Sequence, residues 1–457
     1  MASIPWSYAP YRPFMFESGD IYVTRIVPSA NAVHLEWLGS GTFTVYAKKR
    51  GEEDFSLQQT VTGNECIFTG LETETDYEFQ VTQGEEKSRI RLARTGEAPG
   101  VVVNYLHPED EAYSFSGRFL CSPSIVRHPD GYLLASMDLF GVGTPQNLTL
   151  IFRSDDDGET WHYVSELMPC FWGKLFVHKE KLYMISVSTE YGDLLIGRSD
   201  DGGKTFSAPP VLLRGSCSGG YPGCHKTPEQ PLVDKGRLYI TMEWGSWAAG
   251  FHAPMIISCD ENADLLDADS WAISPPLPYD PTWPGTANGP SNASIEGVLA
   301  VAPNGKLYNL MRYEFRKAEP SYGLAIAYEV DTDHPGVPLQ YARTFPLPGN
   351  LSKFDIVWDE KTGLYYMLLS RITDPEHISM RNLLSLMRSR DLWNWELVTD
   401  VLDRRDLPVE KCGFQYIDSF IDGDDILFLC RTAINGADTF HNSNYSTFHR
   451  IKNFRAL

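Results

Sequence analysis

The chain is 457 residues long and carries 60 acidic against 39 basic residues, a formal charge of -21 that excludes a general binder of nucleic acid or of anionic membrane. Hydrophobic residues make up 42% and aromatics 12%, with 37 glycines and 30 prolines, which is apolar enough for a large core and turn-rich enough for an all-β chain rather than a disordered one. No uninterrupted apolar run reaches membrane-spanning length.

Met1 to Phe16 lacks a charged segment leading into an apolar one, so the sequence reads as cytoplasmic as it stands, or as secreted if a leader has been trimmed. Residues 1–18 are set apart as an N-terminal extension. Residues 19–95 read as a small β-sandwich: alternating runs at Ile21–Ile26, Val33–Trp37, Thr42–Ala47, Glu65–Phe68, Tyr77–Val81 and Ile90–Ala93 are separated by polar turns. Trp37 on an early strand and the run Leu71-Glu-Thr-Glu-Thr-Asp-Tyr77 resemble the fibronectin type III pattern. That resemblance implies a Trp packed between two sheets and a Tyr that hydrogen-bonds back across a turn. Residues 96–115 read as a linker, and residues 116–457 as a second domain.

In that domain two stretches repeat, Ser154-Asp-Asp-Asp-Gly-Glu-Thr-Trp161 and Ser199-Asp-Asp-Gly-Gly-Lys-Thr-Phe206. Each follows an apolar run and packs turn formers against a closing aromatic, and the two lie about 45 residues apart, the length of one propeller blade. They resemble the Asp-box, or BNR, repeat of the sialidase superfamily, which implies a β-propeller whose boxes sit away from the active face. Degenerate copies are read at Ser258-Cys-Asp260 and Arg388 to Trp395. A second punctuation, a polar turn before an aliphatic-aromatic strand start, recurs at Pro129–Leu134, Lys179–Tyr183, Asp234–Tyr239, Pro303–Tyr308, Lys361–Tyr365 and Asp422–Leu427. Six such hairpins, about 50 to 70 residues apart, give six blades, with five as the rival count.

The eight cysteines read as free buried thiols; only Cys217 and Cys224 stand close enough, in a Gly-rich loop, to close a disulfide. Neither zinc nor any other metal or cofactor is called for, and Asp422-Gly-Asp-Asp425 reads as a hairpin turn rather than a calcium loop.

A ring-shaped site draws polar residues from the ends of inner strands in several blades. Asp138, Glu296, His225 and Tyr445 are the catalytic candidates, and Glu243, Arg312, Lys353, Gln415, Asp418, Arg431 and His441 the substrate-binding ones. Glycoside cleavage needs an acid for the leaving oxygen and a carboxylate, or a Tyr backed by one, for the anomeric centre; guanidinium groups suit an acidic substituent. Leu120 to Val126 resembles the sialidase strand that carries the first carboxylate-binding Arg, but Cys121 stands at that position, so a three-arginine clamp is incomplete. Phe414–Asp418, Arg431–Ala433 and Asn444–Arg455 resemble bacterial sialidase-like proteins. The expected function is an exo-acting glycoside hydrolase releasing a terminal acidic sugar from an oligo- or polysaccharide. Two alternatives are a polysaccharide lyase with His225 or Tyr445 as base, and a non-catalytic glycan-binding propeller. No nucleic acid or membrane partner is expected.

Overall fold

The computed structural model describes residues 6–9, 12, 19–289, 291 and 293–457. Half of the chain is strand and 2% helix, the all-β class that the alternation predicts. Most of the 1–18 extension lies outside the described residues, but Trp6 is buried against Phe206 and donates its indole N–H to the Pro169 carbonyl at 2.7 Å.

Residues 23–94 form two facing sheets. One pairs Val23–Pro28, Ala32–Trp37 and Glu65–Thr69; the other orders Leu57–Thr62, Thr42–Lys49 and Asp76–Gln83, with Glu86–Lys87 and Arg91–Arg94 on the last of these. Trp37 is fully buried edge-on to Phe43, 5.3 Å between ring centres, and the Glu72 N–H donates to the Tyr77 hydroxyl at 3.0 Å. Leu57–Thr62 was not expected as a strand; its Gln and Thr residues leave it mostly exposed, without an apolar face to read.

The stretch read as a linker, residues 96–115, is not one throughout. Val101–Tyr105 is a strand, paired antiparallel with Tyr445–Ile451 at the far end of the chain. Arg25 reaches from the first domain to the Val102 and Val103 carbonyls at 2.9 and 2.7 Å, which fastens this strand to both parts of the molecule.

With it, the later strands among the described residues form four antiparallel sheets of four strands and one of nine. The nine-stranded sheet joins two antiparallel groups through one parallel pair, His252 with Ala293. All six polar turns read from the sequence close the hairpin between the first and second strands of a group, for example His178 to Lys181 and Asp422 to Asp425. The first strands meet one another around an axis: the Lys174 ammonium bonds Asp418 at 2.6 Å, Asp418 accepts the Ile125 N–H at 2.6 Å, and Lys353 reaches the Ile417 carbonyl at 2.7 Å.

The Ser-Asp-rich turns join third to fourth strands. In the first, Ser154 accepts the Gly158 N–H at 2.7 Å, and Asp156 accepts the Thr160 N–H and hydroxyl at 2.8 and 2.5 Å. The second repeats this at Ser199, Asp201, Gly203 and Thr205. Ser389 and Asp391 bind Leu392, Trp393 and Asn394 in the same way, so the copy at Arg388–Trp395 has the geometry its sequence only hints at. Ser258 does not; its hydroxyl serves Arg237. Among the described residues all eight cysteines are free, with Cys217 exposed and the others buried.

Candidate active site

Four first strands share one irregularity. Phe119–Arg127, Phe171–His178, Ala293–Val301 and Gly413–Asp422 each slip register at a bulge, and at each bulge one non-glycine residue adopts the left-handed conformation: Ser122 (φ 49°), Trp172 (φ 50°), Glu296 (φ 61°) and Tyr416 (φ 54°). Such a conformation costs about 1–2 kcal/mol for an L-residue, and a bulge re-aims the side chain it carries. All four side chains line one cavity of about 970 Å³ at the mouth of the axis. Elsewhere the ring opens toward the cavity differently: a third first strand is broken between Gly223–His225 and Leu232–Asp234, which admits Thr227 and Pro228 to the lining.

Within the cavity the Tyr416 hydroxyl donates to Glu296 Oε1 at 2.8 Å, and Arg312 reaches Glu296 Oε2 at 2.9 Å and the Tyr416 oxygen at 3.2 Å. Glu314 holds Arg312 from behind at 2.7 Å and takes Arg316 at 2.6 Å. Burial works against the charge on Glu296, yet the Arg312 guanidinium, its hydrogen bond, His225 and the Tyr416 hydroxyl hold its carboxyl below the usual range. Burial and the Glu296 charge raise the Tyr416 hydroxyl, against the pull of Arg312, Arg381 and Arg431. Tyr416 therefore stays protonated beside a base that is ionised.

Two further guanidinium groups flank the Tyr416 ring, Arg381 at 5.5 Å and Arg431 at 5.1 Å from its centre. Arg381 donates to the Gln415 side-chain oxygen and to the Leu351 carbonyl; Arg431 donates to the His441 carbonyl. Neither pairs with a carboxylate among the described residues. Burial, with Arg312, Arg316 and Arg431 nearby, brings Arg381 down to about 10, so it remains cationic at neutral pH. An unpaired buried cation is costly, and two of them facing one cavity call for an anion.

The candidates read from the sequence fall into four places. Glu296, Arg312, Arg431, His441 and His225 line the cavity, and His225 Nδ1 lies 2.6 Å from Glu243 Oε2. Gln415 sits behind Arg381 and donates to the Phe440 carbonyl at 2.6 Å, so it orients that wall without lining it. Burial leaves His441 neutral, well below its ordinary range.

Lys353 and Asp418 belong to the axis beneath the cavity, not to its lining. Lys353 pairs with Glu229 at 3.0 Å and Asp418 with Lys174 at 2.6 Å, every side chain all but fully buried. Asp138 lies behind the wall: Thr149 and Gly173 donate to its two oxygens at 2.5 and 3.2 Å, and burial pushes its carboxyl up to about 7. The Gly173 N–H that it accepts belongs to the bulge next to Trp172, so Asp138 sits under that bulge rather than in the cavity. Tyr445 is far from the cavity chemistry. It is fully buried, 4.7 Å from the Tyr105 ring, with its hydroxyl accepting from Asn435 at 3.1 Å; its partner strand is the one that the sequence presented as linker.

Tyr416 and Arg381 were missed by sequence reasoning. Tyr416 stands inside the Phe414–Asp418 run that resembles sialidase-like proteins, which is the signal that could have found it; Arg381 lies outside the strands, tied to the last sheet by an isolated bridge to Gly413 and by its bond to the Gln415 side chain.

No protein-family model matches the chain, and no curated protein does. Its structure is similar to that of an α-L-arabinanase of Penicillium chrysogenum solved with arabinobiose, with TM-score 0.52 and 16% identity over 78% of this chain and 98% of that one. It is also similar to a GH93 α-L-arabinofuranosidase of Fusarium graminearum solved with arabinobiose, with TM-score 0.50 and 15% identity over 77% and 97%. The fold is that of a β-propeller. The two facing sheets of residues 23–94 are separate from the sheets of the ring just described.

Proposed function

We propose that the protein is a retaining, exo-acting glycoside hydrolase that removes a terminal acidic sugar from an oligo- or polysaccharide. In this reading residues 116–457 are a six-bladed sialidase-like propeller, closed by Val101–Tyr105, and residues 19–95 a fibronectin III-like sandwich docked on its side. The observation that carries the function is the Tyr416–Glu296 hydrogen bond of 2.8 Å beside the two guanidinium groups of Arg381 and Arg431 that have no carboxylate partner.

A carbohydrate with its own carboxylate next to the anomeric centre makes a carboxylate nucleophile repulsive, and a neutral Tyr relayed through a carboxylate base avoids that repulsion. Glu296 takes the Tyr416 proton as the phenolic oxygen attacks the anomeric carbon. Arg381 and Arg431 receive the substrate carboxylate, and Arg312 keeps Glu296 ionised and aligned. The resemblance of the fold to an arabinanase and an arabinofuranosidase supports a carbohydrate-cleaving role. The uncompensated positive charge of the cavity supports an anionic sugar over a neutral pentose.

The test is a panel of aryl glycosides and polysaccharides bearing sialic acid, glucuronic acid, galacturonic acid or arabinofuranose, digested with wild type and with Tyr416→Phe. Products are read by mass and by near-ultraviolet absorbance. Release of a saturated acidic sugar, lost in Tyr416→Phe by about 10³-fold or more, is expected. Release of arabinose would refute the acidic specificity; growth of absorbance would mean an unsaturated uronate and a lyase; binding without turnover would leave a glycan-binding propeller.

A further inference from the structure

Tyr416 and Glu296 account for attack on the anomeric carbon but not for the proton that the departing oxygen needs. Besides His441, whose ring faces the Arg431 guanidinium at 3.4 Å, three groups on the wall or just behind it are left to supply it. Asp138 has both oxygens engaged behind the wall. Glu190 lines the cavity but is only partly buried, and one of its oxygens is held by the Gln146 amide at 3.0 Å. The third is His225.

His225 is the last residue of the short strand Gly223–His225, and its cross-strand partner is Glu243, so the pair is set directly opposite by sheet register. Nδ1 lies 2.6 Å from Glu243 Oε2, with both residues buried. The ring is packed against Trp172 at 4.3 Å, His252 at 4.9 Å and Tyr191 at 6.1 Å between ring centres. Nε2 has no hydrogen-bond partner among the described residues and is the ring nitrogen left to the cavity. A carboxylate that fixes Nδ1–H gives the imidazole one tautomer and one direction, which is how a proton-transferring His is oriented.

We propose that His225, positioned by Glu243, is the general acid and base of the glycoside hydrolase reading given above, on which this inference rests. In the first half-reaction, which starts from the doubly protonated imidazolium of His225, the C–O bond to the leaving group breaks as the Tyr416 oxygen bonds the anomeric carbon; the Nε2 proton passes to the leaving oxygen, leaving His225 neutral with its Nδ1–H on Glu243, and the Tyr416 proton passes to Glu296. In the second, Nε2 takes a proton from water as its oxygen bonds the anomeric carbon and the bond to Tyr416 breaks, its oxygen recovering the proton from Glu296. Both steps balance without any other reagent.

The experiment compares wild type, His225→Ala and Glu243→Gln on 2,4-dinitrophenyl and 4-methylumbelliferyl glycosides of sialic acid and of glucuronic acid, with circular dichroism confirming the fold. Dinitrophenolate leaves without help; methylumbelliferone does not. His225→Ala is expected to lose about 10²- to 10⁴-fold in kcat/KM on the methylumbelliferyl glycoside and under about 10-fold on the dinitrophenyl one. Glu243→Gln is expected to show the same asymmetry at smaller size, and azide to rescue His225→Ala as a glycosyl azide. If His225→Ala does not fold, His225→Gln, which keeps a donor toward Glu243, replaces it. Equal loss on both leaving groups in an active enzyme overturns this proposal alone. Inert wild-type enzyme overturns the hydrolase reading and this one together.

Discussion

Replacing Asp138 with asparagine separates the charge of this buried group from its shape. Burial holds its carboxyl at about 7, against 3.8 for an ordinary aspartate. The folded state therefore keeps a proton that the unfolded chain releases near pH 4; the resulting stabilisation is fully present below that pH and disappears as pH rises through 7. Between pH 5 and pH 8 the loss amounts to about 2–3 kcal/mol. The site has a place for the proton: Thr149 Oγ1 lies 2.5 Å from Asp138 Oδ1 and 3.1 Å from the Cys170 carbonyl, so when the hydroxyl donates to the carbonyl its lone pair can receive the Asp138 O–H. An asparagine N–H can use the same acceptor and never ionises. Urea unfolding followed by tryptophan fluorescence at both pH values should show wild type losing about 2–3 kcal/mol more than Asp138→Asn on going from 5 to 8. Equal losses in the two proteins would refute the assignment of a buried, proton-holding carboxyl at this position.

The axis offers a complementary test. Lys174→Met strands the Asp418 charge, with both side chains 1% exposed, and should cost about 3–5 kcal/mol in urea unfolding, while Lys174→Met/Asp418→Asn recovers much of it. Arg381→Ala and Arg431→Ala should each lower kcat/KM on an acidic glycoside by about 10–100-fold, and Arg381→Lys should recover only part, because an ammonium cannot reproduce the guanidinium fork. Ser154→Ala removes the acceptor of the Gly158 N–H in the first Asp-rich turn; unfolding measurements should show a loss of about 1–2 kcal/mol with turnover unchanged, since this turn stands at the opposite end of its strand from the cavity.

Architecture was legible wherever it rests on local rules. The six hairpin turns are polar punctuation in an alternating pattern, five of them carrying Gly, and the Trp37 and Tyr77 placements depend on residues close in sequence. The site was legible in part, because an inner strand ending in a charge can face either the cavity or the axis: Arg312 and Arg431 proved to do the first, Lys353 and Asp418 the second. Tyr416 was obscured by its own bulge. In a regular strand Gln415 and Asp418 lie on opposite faces, and a register shift between them breaks the period-two count that assigns faces. Arg381 belongs to no strand at all, and Tyr445 could be placed only once its partner Tyr105 was known to be in a strand rather than a linker.

The pairing of Val101–Tyr105 with Tyr445–Ile451 has a consequence for biosynthesis. The strand leaves the ribosome early, and its partner follows more than three hundred residues later, so at about 5–20 residues per second the nascent chain carries an unpaired edge for some tens of seconds. Throughout that interval the contact available to it is with the preceding sheets, through the Arg25 guanidinium on the Val102 and Val103 carbonyls.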